Sequence, residues 1–345
     1  MKALVKTEKG VGNIELRDVP EPQMQPDEVM IEIKAAGICG TDIHIMHDSF
    51  PYWPPVILGH EFAGEIIGVG SEVTGWTVGD RVVGEPHTKA CGKCYLCRTG
   101  NIQICPEKRS PGWGIDGAFT KYLPYPPHLL HRIPEGMSFT HAALTEPTGN
   151  VVHDVLERAK VEPEDFVVVI GPGPIGLMAA MAAKAEGARE VMITGTDADE
   201  ALRLRTAREI GIDHVINIQQ EDGVARCMEL TDGRGADLVV ECSGAPRAIA
   251  TTPQYIRKLG RICAMGLTGK RPVEFDWDAA QGKVATIYFC MSTYYTCWDR
   301  ALSMLASGKV QAEPIITHEL PLSRWQEGFD AIENMEALKV ILIPE

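Results

Sequence analysis

The sequence has no long apolar run, no excess of basic residues and no internal repeat. A membrane-spanning helix needs about 18 to 20 consecutive apolar residues, and no segment reaches that length. The first ten residues, MKALVKTEKG, are too polar for a secretory signal peptide. The 47 acidic residues outnumber the 33 lysines and arginines, and a net charge of −14 argues against nucleic acid or an anionic membrane surface as the main partner. We therefore expect a cytoplasmic protein with a small-molecule partner and no nucleic-acid or membrane partner.

The length of 345 residues and the ten cysteines are the next features of the sequence. A chain of this length exceeds the usual size of one hydrophobic core, so we expect two domains. Hydrophobic residues at 45% and charged residues at 23% are ordinary for a folded globular protein. In a reducing compartment, cysteines occur as thiols or metal ligands rather than as disulfides.

Two sequence patterns divide the chain near residue 150. Residues 1–150 contain short β-like runs broken by glycine and proline, which predicts a compact β-rich domain. From 151 to 290, buried strands such as FVVVIG (166–171) alternate with helical segments, which predicts a doubly wound parallel sheet. One of these helices is expected over AIATTPQYIRKLG (248–260). The tail, 291–345, ends in a strand that we expect to return to the first domain.

Four cysteines, Cys91, Cys94, Cys97 and Cys105, fall within fifteen residues. A disulfide knot, an iron–sulfur cluster and a tetrahedral metal site are three interpretations of this run. The reducing compartment disfavours the disulfides, but ligand type leaves the other two open, because both take four cysteines. Five further cysteines have no ligand spacing and are expected to pack in the core: Cys227, Cys242, Cys263, Cys290 and Cys297.

The motif GPGPIG follows a predicted buried strand and precedes an alanine-rich helix. In that context Gly171 permits a tight turn, Gly173 lets the backbone approach a pyrophosphate, and Gly176 lets the helix pack against the strand. Pro174 and Ile175 open the helix, whose N-terminus offers N–H groups to phosphates. A glycine-rich turn without a ligand is the alternative interpretation. The motif predicts a dinucleotide site.

A second set of candidate ligands lies in GICGTDIHIMH and LGHEFAGEIIGVG. Cys39, His60 and Glu61 supply a thiolate, an imidazole and a carboxylate, which are ligand types that zinc accepts. A core cysteine and a surface His–Glu pair are the ordinary alternatives. Neighbours on a regular strand point to opposite faces, so His60 and Glu61 reach one ion only if the backbone bends there. Spacing alone leaves this site open.

These motifs together resemble those of the zinc-dependent medium-chain dehydrogenases, over essentially the whole chain, and GHEFAGEIIGVGSEV is the most specific element. The resemblance implies an α/β fold class. A GroES-like β-rich catalytic domain would cover 1–150, with a structural-zinc lobe over 88–108. A doubly wound parallel-sheet (Rossmann) domain for NAD(P) would cover 151–290, and residues 291–345 would return to the catalytic domain.

The resemblance also implies two zinc ions per chain. The residues that match Cys39 and His60 bind a catalytic zinc in this family, and Glu61 matches the third ligand of its polyol and threonine branches. Glu146, in TEPTGNVVH, matches an acid that binds this zinc directly or through its water, where the alcohol dehydrogenase branch has a cysteine. The four-cysteine run matches the structural zinc lobe of the family, which disfavours an iron–sulfur cluster.

The implied reaction is hydride transfer from an alcohol to a nicotinamide. A zinc ion with an open coordination position lowers the pKa of the alcohol. Thr41 and His44 match the family's relay, in which a hydroxyl and an imidazole carry the proton away. His47 lies one turn beyond, and we expect it to be solvated.

The sequence departs from the family pattern at the cofactor ribose. The acid that binds the ribose of NAD usually lies about 20 residues beyond the glycine turn, and counting places Gly195 there. Asp197 could bind the ribose instead, which would favour NAD, whereas Thr196, Arg203 or Arg205 could bind the 2′-phosphate of NADP. We expect NAD by a small margin, with NADP as the alternative.

The substrate is the least determined feature. PIITH and TEPTGNVVH resemble threonine dehydrogenase, whereas TCWDRALSMLASGKV resembles the polyol dehydrogenases. The stretch IYFCMSTYYTCW (287–298) matches neither branch, but its hydroxyl groups suit a polyhydroxylated substrate. We expect a polyol or sugar-derived secondary alcohol, with L-threonine as the alternative and an inactive nucleotide- and zinc-binding module as a remote one. A homotetramer or homodimer is expected.

Overall fold

The structure, a computed structural model of the chain, describes residues 1–269 and 272–345. The strands are β1 (Lys2–Lys6), β2 (Ile14–Asp18), β3 (Val29–Gly37), β4 (Val56–Ile57), β5 (Glu61–Val69), β6 (Arg81–Gly84), β7 (Tyr122–Tyr125), β8 (Leu130–Arg132), β9 (Phe166–Ile170), β10 (Glu190–Gly195), β11 (His214–Asn217), β12 (Ala236–Glu241), β13 (Ile256–Ala264), β14 (Thr286–Phe289), β15 (Ile316–Pro321) and β16 (Lys339–Ile343). The α-helices are α1 (Gly40–Met46), α2 (Tyr95–Arg98), α3 (Phe139–Ala142), α4 (Thr145–Val151), α5 (Pro174–Glu186), α6 (Arg205–Glu209), α7 (Gly223–Leu230), α8 (Pro246–Tyr255), α9 (Trp277–Gly282), α10 (Tyr295–Ala306) and α11 (Trp325–Glu333). Two stretches, Val152–Arg158 and Glu200–Leu204, are π-helical.

Within the described residues, no helix is both long and apolar enough to cross a membrane.

The described chain divides into two compact units. The first comprises Met1–Pro147, Thr293–Ala306 and Ile316–Glu345, and the second comprises Thr148–Ser292 and Ser307–Ile315. The first unit is therefore built from three separate stretches of chain. The last stretch of the second unit lies within the tail that the sequence pattern predicts to return to the first domain.

The first unit is built around a mainly antiparallel sheet with the order β15-β16-β3-β5-β6-β8, to which β7 adds by pairing with β3. Strand β3 alternates buried and half-buried residues, and its buried face, with Val29, Ile31 and Ile33, enters the core. Strands β3 and β5 pair over nearly their whole length, with Gly37 opposite Glu61. This register brings the end of β3 beside the start of β5, where the candidate ligands lie.

The second unit contains a six-stranded parallel sheet with the order β11-β10-β9-β12-β13-β14. This is the strand order of a doubly wound dinucleotide-binding fold, so the fold predicted from the alternation of strands and helices is confirmed. The central strand β9 is buried at every residue, as its apolar run predicts. The order reverses between β9 and β12, and ligands of such sheets bind at the carboxyl ends of the strands there.

One predicted element is wrong. A helix was expected over 248–260, but α8 ends at Tyr255 and β13 begins at Ile256. Pro253 has no amide to donate to the helix, and Ile256 is buried opposite Ala236 of β12. Leu259 has a φ of 59° at an irregularity of the strand. Pairing with β12 therefore outweighs the local helical pattern.

The glycine turn between β9 and α5 has the geometry that its sequence predicts. Gly171 has a φ of +99°, which favours glycine. A Cβ on Gly176 would lie 1.9 Å from the Gly171 carbonyl oxygen, so the helix packs against the turn only with glycine there. A Cβ on Gly173 would meet nothing within 4 Å. The turn is thus closely packed on one side and open on the other.

We predict that a methyl group added at Gly176 destabilises the protein, whereas one added at Gly173 does not. Gly176→Ala should lower the free energy of unfolding by about 1–3 kcal/mol or more, because its Cβ overlaps backbone that cannot move independently. Gly173→Ala, the matched control, should change it by less than about 0.5 kcal/mol. Urea unfolding of both variants measures the difference, and equal stability of the two would contradict the packing described here.

Candidate functional site

Cys39, His60 and Glu61 lie together in the first unit, with one candidate ligand atom from each within 4.8 Å of the others. Cys39 follows β3, and Glu61 is the first residue of β5. His60 precedes the strand and follows Gly59, which has a φ of +91°. This turn supplies the bend that the sequence pattern requires, because His60 is not held in the alternating geometry of β5.

Two glycines beside this cluster lie where a larger residue would not fit. A Cβ on Gly37 would lie 2.4 Å from the Glu61 Oε2 atom, so glycine at the end of β3 makes room for the carboxylate. A Cβ on Gly59 would lie 2.5 Å from the Phe119 ring. The backbone can therefore place His60 and Glu61 side by side only with glycine at both positions.

The charges around His60 favour a bound cation. Burial lowers the pKa of the His60 imidazole, but the Cys39 thiolate, which is hydrogen-bonded to the ring, and the Asp42 and Glu146 carboxylates raise it to about 10. The ring is buried, with 3% of its surface exposed. A site that holds a proton so firmly also suits a metal cation, and a sulfur, nitrogen and oxygen donor set fits zinc.

Asp42 is a member of this site that the sequence pattern did not reveal. It is fully buried, and its Oδ2 atom accepts a hydrogen bond from the Cys39 amide at 2.9 Å. Its Oδ1 atom lies 3.9 Å from the His60 Nδ1 atom, and neither atom has a hydrogen-bond partner among the described residues. A carboxylate behind an imidazole orients a metal-binding histidine. The available signal was an acid three residues after Cys39, at the start of α1.

Lys339 is a second residue that sequence reasoning missed. Its Nζ atom lies 2.6 and 2.9 Å from the two Glu61 carboxylate oxygens and donates to the Ile38 carbonyl at 3.0 Å. Burial lowers the pKa of Lys339, but the Glu61 carboxylate and the Cys39 thiolate outweigh this effect and raise it. The Glu61 carboxylate is therefore held by a buried ammonium group as well as facing the cluster.

Glu146 does not belong to the group of three ligand atoms. It is half-buried in the first turn of α4, and its charge raises the pKa of both His60 and Lys339, so its carboxylate acts on the cluster electrostatically. It also opposes the burial that lowers the pKa of Lys108 to about 8. Lys108 was not recognised from sequence, and it is a cation within the field of both Glu146 and Cys105.

The two expected relay residues lie on α1. The Thr41 Oγ1 atom is 3.7 Å from the Cys39 Sγ atom, and the His44 Nδ1 atom is 3.1 Å from the Ser49 Oγ atom. Residues three apart lie on the same face of a helix, so Thr41 and His44 are neighbours there. His47, expected to be solvated, is exposed and is hydrogen-bonded to the Glu333 carboxylate. 

Two aromatic rings pack on one side of the His60 imidazole. The Trp113 ring lies edge-on to His60 with a centroid distance of 4.8 Å, and Phe50 lies edge-on to Trp113 at 5.6 Å. Both aromatic side chains are half-buried. They shield one side of the candidate metal site from water, which strengthens the electrostatic interactions within it.

The four cysteines of the 88–108 lobe also meet, with all four sulfur atoms within 4.8 Å of one another. Measured sulfur–sulfur distances are 3.6 Å for Cys91–Cys105 and 3.9 Å for both Cys91–Cys97 and Cys94–Cys105. A tetrahedron with zinc–sulfur bonds of about 2.3 Å has edges of about 3.8 Å. The Cys91 amide hydrogen bond lowers the pKa of Cys105, whereas burial and the hydrogen bonds to the neighbouring thiols raise the pKa of Cys97. All ten cysteines are described, and none is in a disulfide.

In the segment after β10, the acid that lies beside Gly195 is not the one expected from sequence. Asp197 accepts hydrogen bonds from Asn217 at 2.7 Å and Gln220 at 2.9 Å. Asp199 instead lies beside Gly195, where a Cβ would be 3.2 Å from the Asp199 Cβ atom. Asp199 was not among the expected cofactor residues.

The buried Asp199 carboxylate organises its surroundings. Its Oδ2 atom accepts hydrogen bonds from the Thr196 amide and hydroxyl, both at 2.9 Å. Its Oδ1 atom accepts from Arg203 Nη1 at 3.1 Å. Thr196 and Arg203, two of the four candidate cofactor residues after β10, are thus tied to Asp199. Arg205 and Arg208 form ion pairs with glutamates. 

Comparisons with known proteins agree with this geometry. Residues 25–135 match the family model described as alcohol dehydrogenase GroES-like domain. Residues 174–307 match the family model described as zinc-binding dehydrogenase. Together the two models cover more than half of the chain.

Similarity extends over whole proteins. The chain is 41% identical over 344 residues to sorbitol dehydrogenase of Halalkalibacterium halodurans, covering 100% of this chain and 99% of the relative. It is 36% identical over 352 residues to L-threonine 3-dehydrogenase of Bacillus licheniformis, with 100% and 99% covered. A solved structure described as a zinc-binding dehydrogenase from Sinorhizobium meliloti, bound to NADP, is similar with a TM-score of 0.91, 28% identity and 99% of each chain covered.

The two cysteine-containing sites should lose metal independently. Cys39→Ser should reduce the zinc content from two ions per chain to one with little change in melting temperature, because a hydroxyl holds zinc poorly compared with a thiolate. Cys94→Ser should also remove one zinc but should loosen the 88–108 lobe, detected as proteolysis within it. Cys227→Ser, a buried thiol away from both sites, is the control. Two zinc ions retained in both variants would contradict the assignment.

Removal of the Lys339 ammonium group should leave the buried Glu61 carboxylate without its partner and so destabilise the protein. In chelator-treated protein, Lys339→Met should lower the free energy of unfolding by roughly 3–5 kcal/mol, because a buried charge loses its partner. The double variant with Glu61→Gln should recover much of that loss. Lys184→Met, which breaks a partly exposed pair with Asp213, should cost less than about 1 kcal/mol. Urea unfolding measures all three, and equal losses in the two lysine variants would contradict this account.

Proposed function

Because the chain belongs to the zinc-dependent medium-chain dehydrogenase family, we propose that it oxidises a secondary alcohol of a polyol or sugar derivative to a ketone, with NAD or NADP as hydride acceptor. The observation that carries this proposal is the cluster of Cys39, His60 and Glu61 in the first unit, in which one ligand atom from each residue lies within 4.8 Å of the others. The whole-length similarity to a sorbitol dehydrogenase supports the substrate class.

We assign the metal ligands from the chemistry of the donors. Cys39 and His60 would hold a catalytic zinc, and Glu61 or Glu146 would complete its protein ligands. Bound there, the ion supplies a Lewis acid that makes an alcohol proton more acidic. Asp42 accepts a hydrogen bond from the Cys39 amide, which orients this ligand, and its other carboxylate oxygen lies 3.9 Å from the His60 Nδ1 atom. The four-cysteine lobe would hold a second, structural zinc.

Two side chains of α1 can hold or pass on a proton. The Thr41 hydroxyl lies next to Cys39 and both accepts and donates hydrogen bonds. His44, on the same face of α1, is half-buried and hydrogen-bonded to the exposed Ser49, so its imidazole can pass a proton towards solvent. We propose this pair as the proton relay.

The cofactor would bind at the glycine turn of the second unit. The open space at Gly173 and the close packing at Gly176 support a pyrophosphate lying across the N-terminus of α5, with Gly171, Pro174 and Ile175 forming the rest of the turn. NAD is favoured over NADP because the Asp199 carboxylate lies beside Gly195 and already binds Arg203. A 2′-phosphate there would meet a negative charge.

Assembly and location are also proposed. Strand β14 is the last strand of its parallel sheet in the described chain, and Phe289 and Met291 near its end are 77% and 63% exposed. An apolar sheet edge supports burial against a second copy, so we propose a homotetramer or homodimer. Ten cysteines outside any disulfide support a cytoplasmic location.

L-Threonine is the second candidate substrate, because the chain is also similar over its whole length to an L-threonine 3-dehydrogenase. A substrate panel of hexitols, pentitols, sugar acids and L-threonine, each with NAD and NADP, separates the candidates by the absorbance of reduced nicotinamide. We expect the best polyol to exceed L-threonine by at least about tenfold in kcat/KM, which corresponds to about 1.4 kcal/mol. Cys39→Ser is the inactive control. Turnover of L-threonine alone would replace the polyol assignment.

The cofactor preference should depend on Asp199. The protein should prefer NAD in kcat/KM, and Asp199→Asn should raise the NADP-to-NAD ratio by about tenfold, because it removes a repulsive charge and releases Arg203. Asp213→Asn, a paired acid elsewhere in the second unit, should leave the ratio unchanged. A native preference for NADP above about tenfold that disappears in Arg203→Ala would defeat the NAD assignment.

A further inference from the structure

Three cysteines that neither zinc site uses lie at the ends of neighbouring strands in the second unit. Cys242 follows β12, Cys263 is the last residue but one of β13, and Cys290 follows β14. The strand register places Cys263 beside Val240 of β12 and Tyr288 of β14. Side chains alternate between faces along a strand, so the three thiols share one face of the sheet.

Two of these thiols are in contact. The Cys263 and Cys290 Sγ atoms are 3.9 Å apart. A disulfide bond requires about 2 Å, so the sulfur atoms must approach by nearly that much. Cys290 follows β14, and its amide donates to the Ala264 carbonyl oxygen of β13 at 3.4 Å. The two thiols are therefore carried by paired stretches of backbone, and closing the bond requires these stretches to shift.

The surroundings of the two thiols are unequal. Cys263 is buried and donates to the Asp154 carbonyl oxygen at 3.4 Å. Cys290 is half-buried, and its thiol donates to the Tyr288 carbonyl oxygen at 3.6 Å. The exposed Arg158 guanidinium donates at 3.1 Å to the carbonyl oxygen of Phe289, the residue before Cys290. Cys290 is thus the less buried of two touching thiols, so it is suited to attack first, and the buried Cys263 is suited to resolve the product.

We propose that Cys263 and Cys290 form a dithiol that a small-molecule disulfide converts reversibly into an intramolecular disulfide. The Cys290 thiolate attacks one sulfur of R–S–S–R, forms a mixed disulfide and releases one R–S⁻. The Cys263 thiolate then attacks the Cys290 sulfur and releases the second R–S⁻. The two protein thiols are oxidised by two electrons in total, the small disulfide is reduced, and the two thiol protons end on the two released thiols.

The position of Cys263 and Cys290 predicts that the disulfide affects cofactor binding, and this effect rests on the proposed function. Cys263 and Cys290 lie at the carboxyl ends of β13 and β14, the edge at which dinucleotides bind in such sheets. Forming the bond draws these two strand ends together. The disulfide form should therefore bind NAD more weakly than the dithiol form.

The test uses the zinc-loaded protein and oxidised glutathione as the probe. After incubation and alkylation of remaining thiols, peptide mapping by mass spectrometry should detect a Cys263–Cys290 disulfide, which should disappear on treatment with dithiothreitol. Cys290→Ser should abolish it and leave Cys263 alkylated, and Cys227→Ser should form it like the native protein. A titration of NAD by intrinsic fluorescence should then show weaker binding by the oxidised native protein but not by oxidised Cys290→Ser.

Other outcomes overturn the proposal. A glutathione adduct on Cys290 that persists without closing, a bond from Cys263 to Cys242, or full alkylation of both thiols after exposure to the probe would each do so. Because the mapping needs no enzymatic activity, an inactive protein that still forms the bond would refute the proposed function without refuting the pair. Identical NAD binding by both forms would refute the effect on the cofactor.

Discussion

The close approach of β3 to β5 holds the candidate active site together, because a side chain at Gly37 would overlap the Glu61 carboxylate. The same register carries Cys39 out of β3 and turns the chain into α1, while the turn at Gly59 presents His60 from the other strand. Several negative groups then share a small, water-poor space. Charge of one sign in such surroundings is unfavourable unless positive charge is placed beside it.

Two sources of positive charge can offset these negative groups. Lys339 arrives from β16 and binds both Glu61 oxygens, and the high pKa of His60 shows that the space between Cys39, Asp42 and Glu146 favours a further cation. A zinc ion would replace the imidazole proton there. The four-cysteine lobe, 88–108, is organised differently. Its cysteines are close in sequence, and local amide hydrogen bonds hold their sulfur atoms.

Local patterns were sufficient for much of this arrangement. The glycine turn, the buried strand before it and the four-cysteine spacing each occupy one short stretch, so their geometry could be predicted from sequence. Lys339 could not, since it is 278 residues from Glu61 and nothing in its own strand marks it. Counting along the chain does not identify Asp199, because the segment after Gly195 folds back through a cap that joins Thr196 and Asp199. The end of α8 was misjudged because pairing with β12 is a tertiary effect.

The construction of the first unit from three separated stretches affects how the protein is made on the ribosome. Residues 148–292, which belong to the second unit, are synthesised and can fold before the chain supplies β16. Until then Glu61 is a carboxylate in a forming core without its ammonium partner. A chain that lacks β16 would therefore retain nearly all of its sequence, the cysteines of both candidate metal sites and its second unit, yet lack the ammonium group that faces Glu61. In such products a buried carboxylate would lack its ammonium partner, which destabilises the first unit.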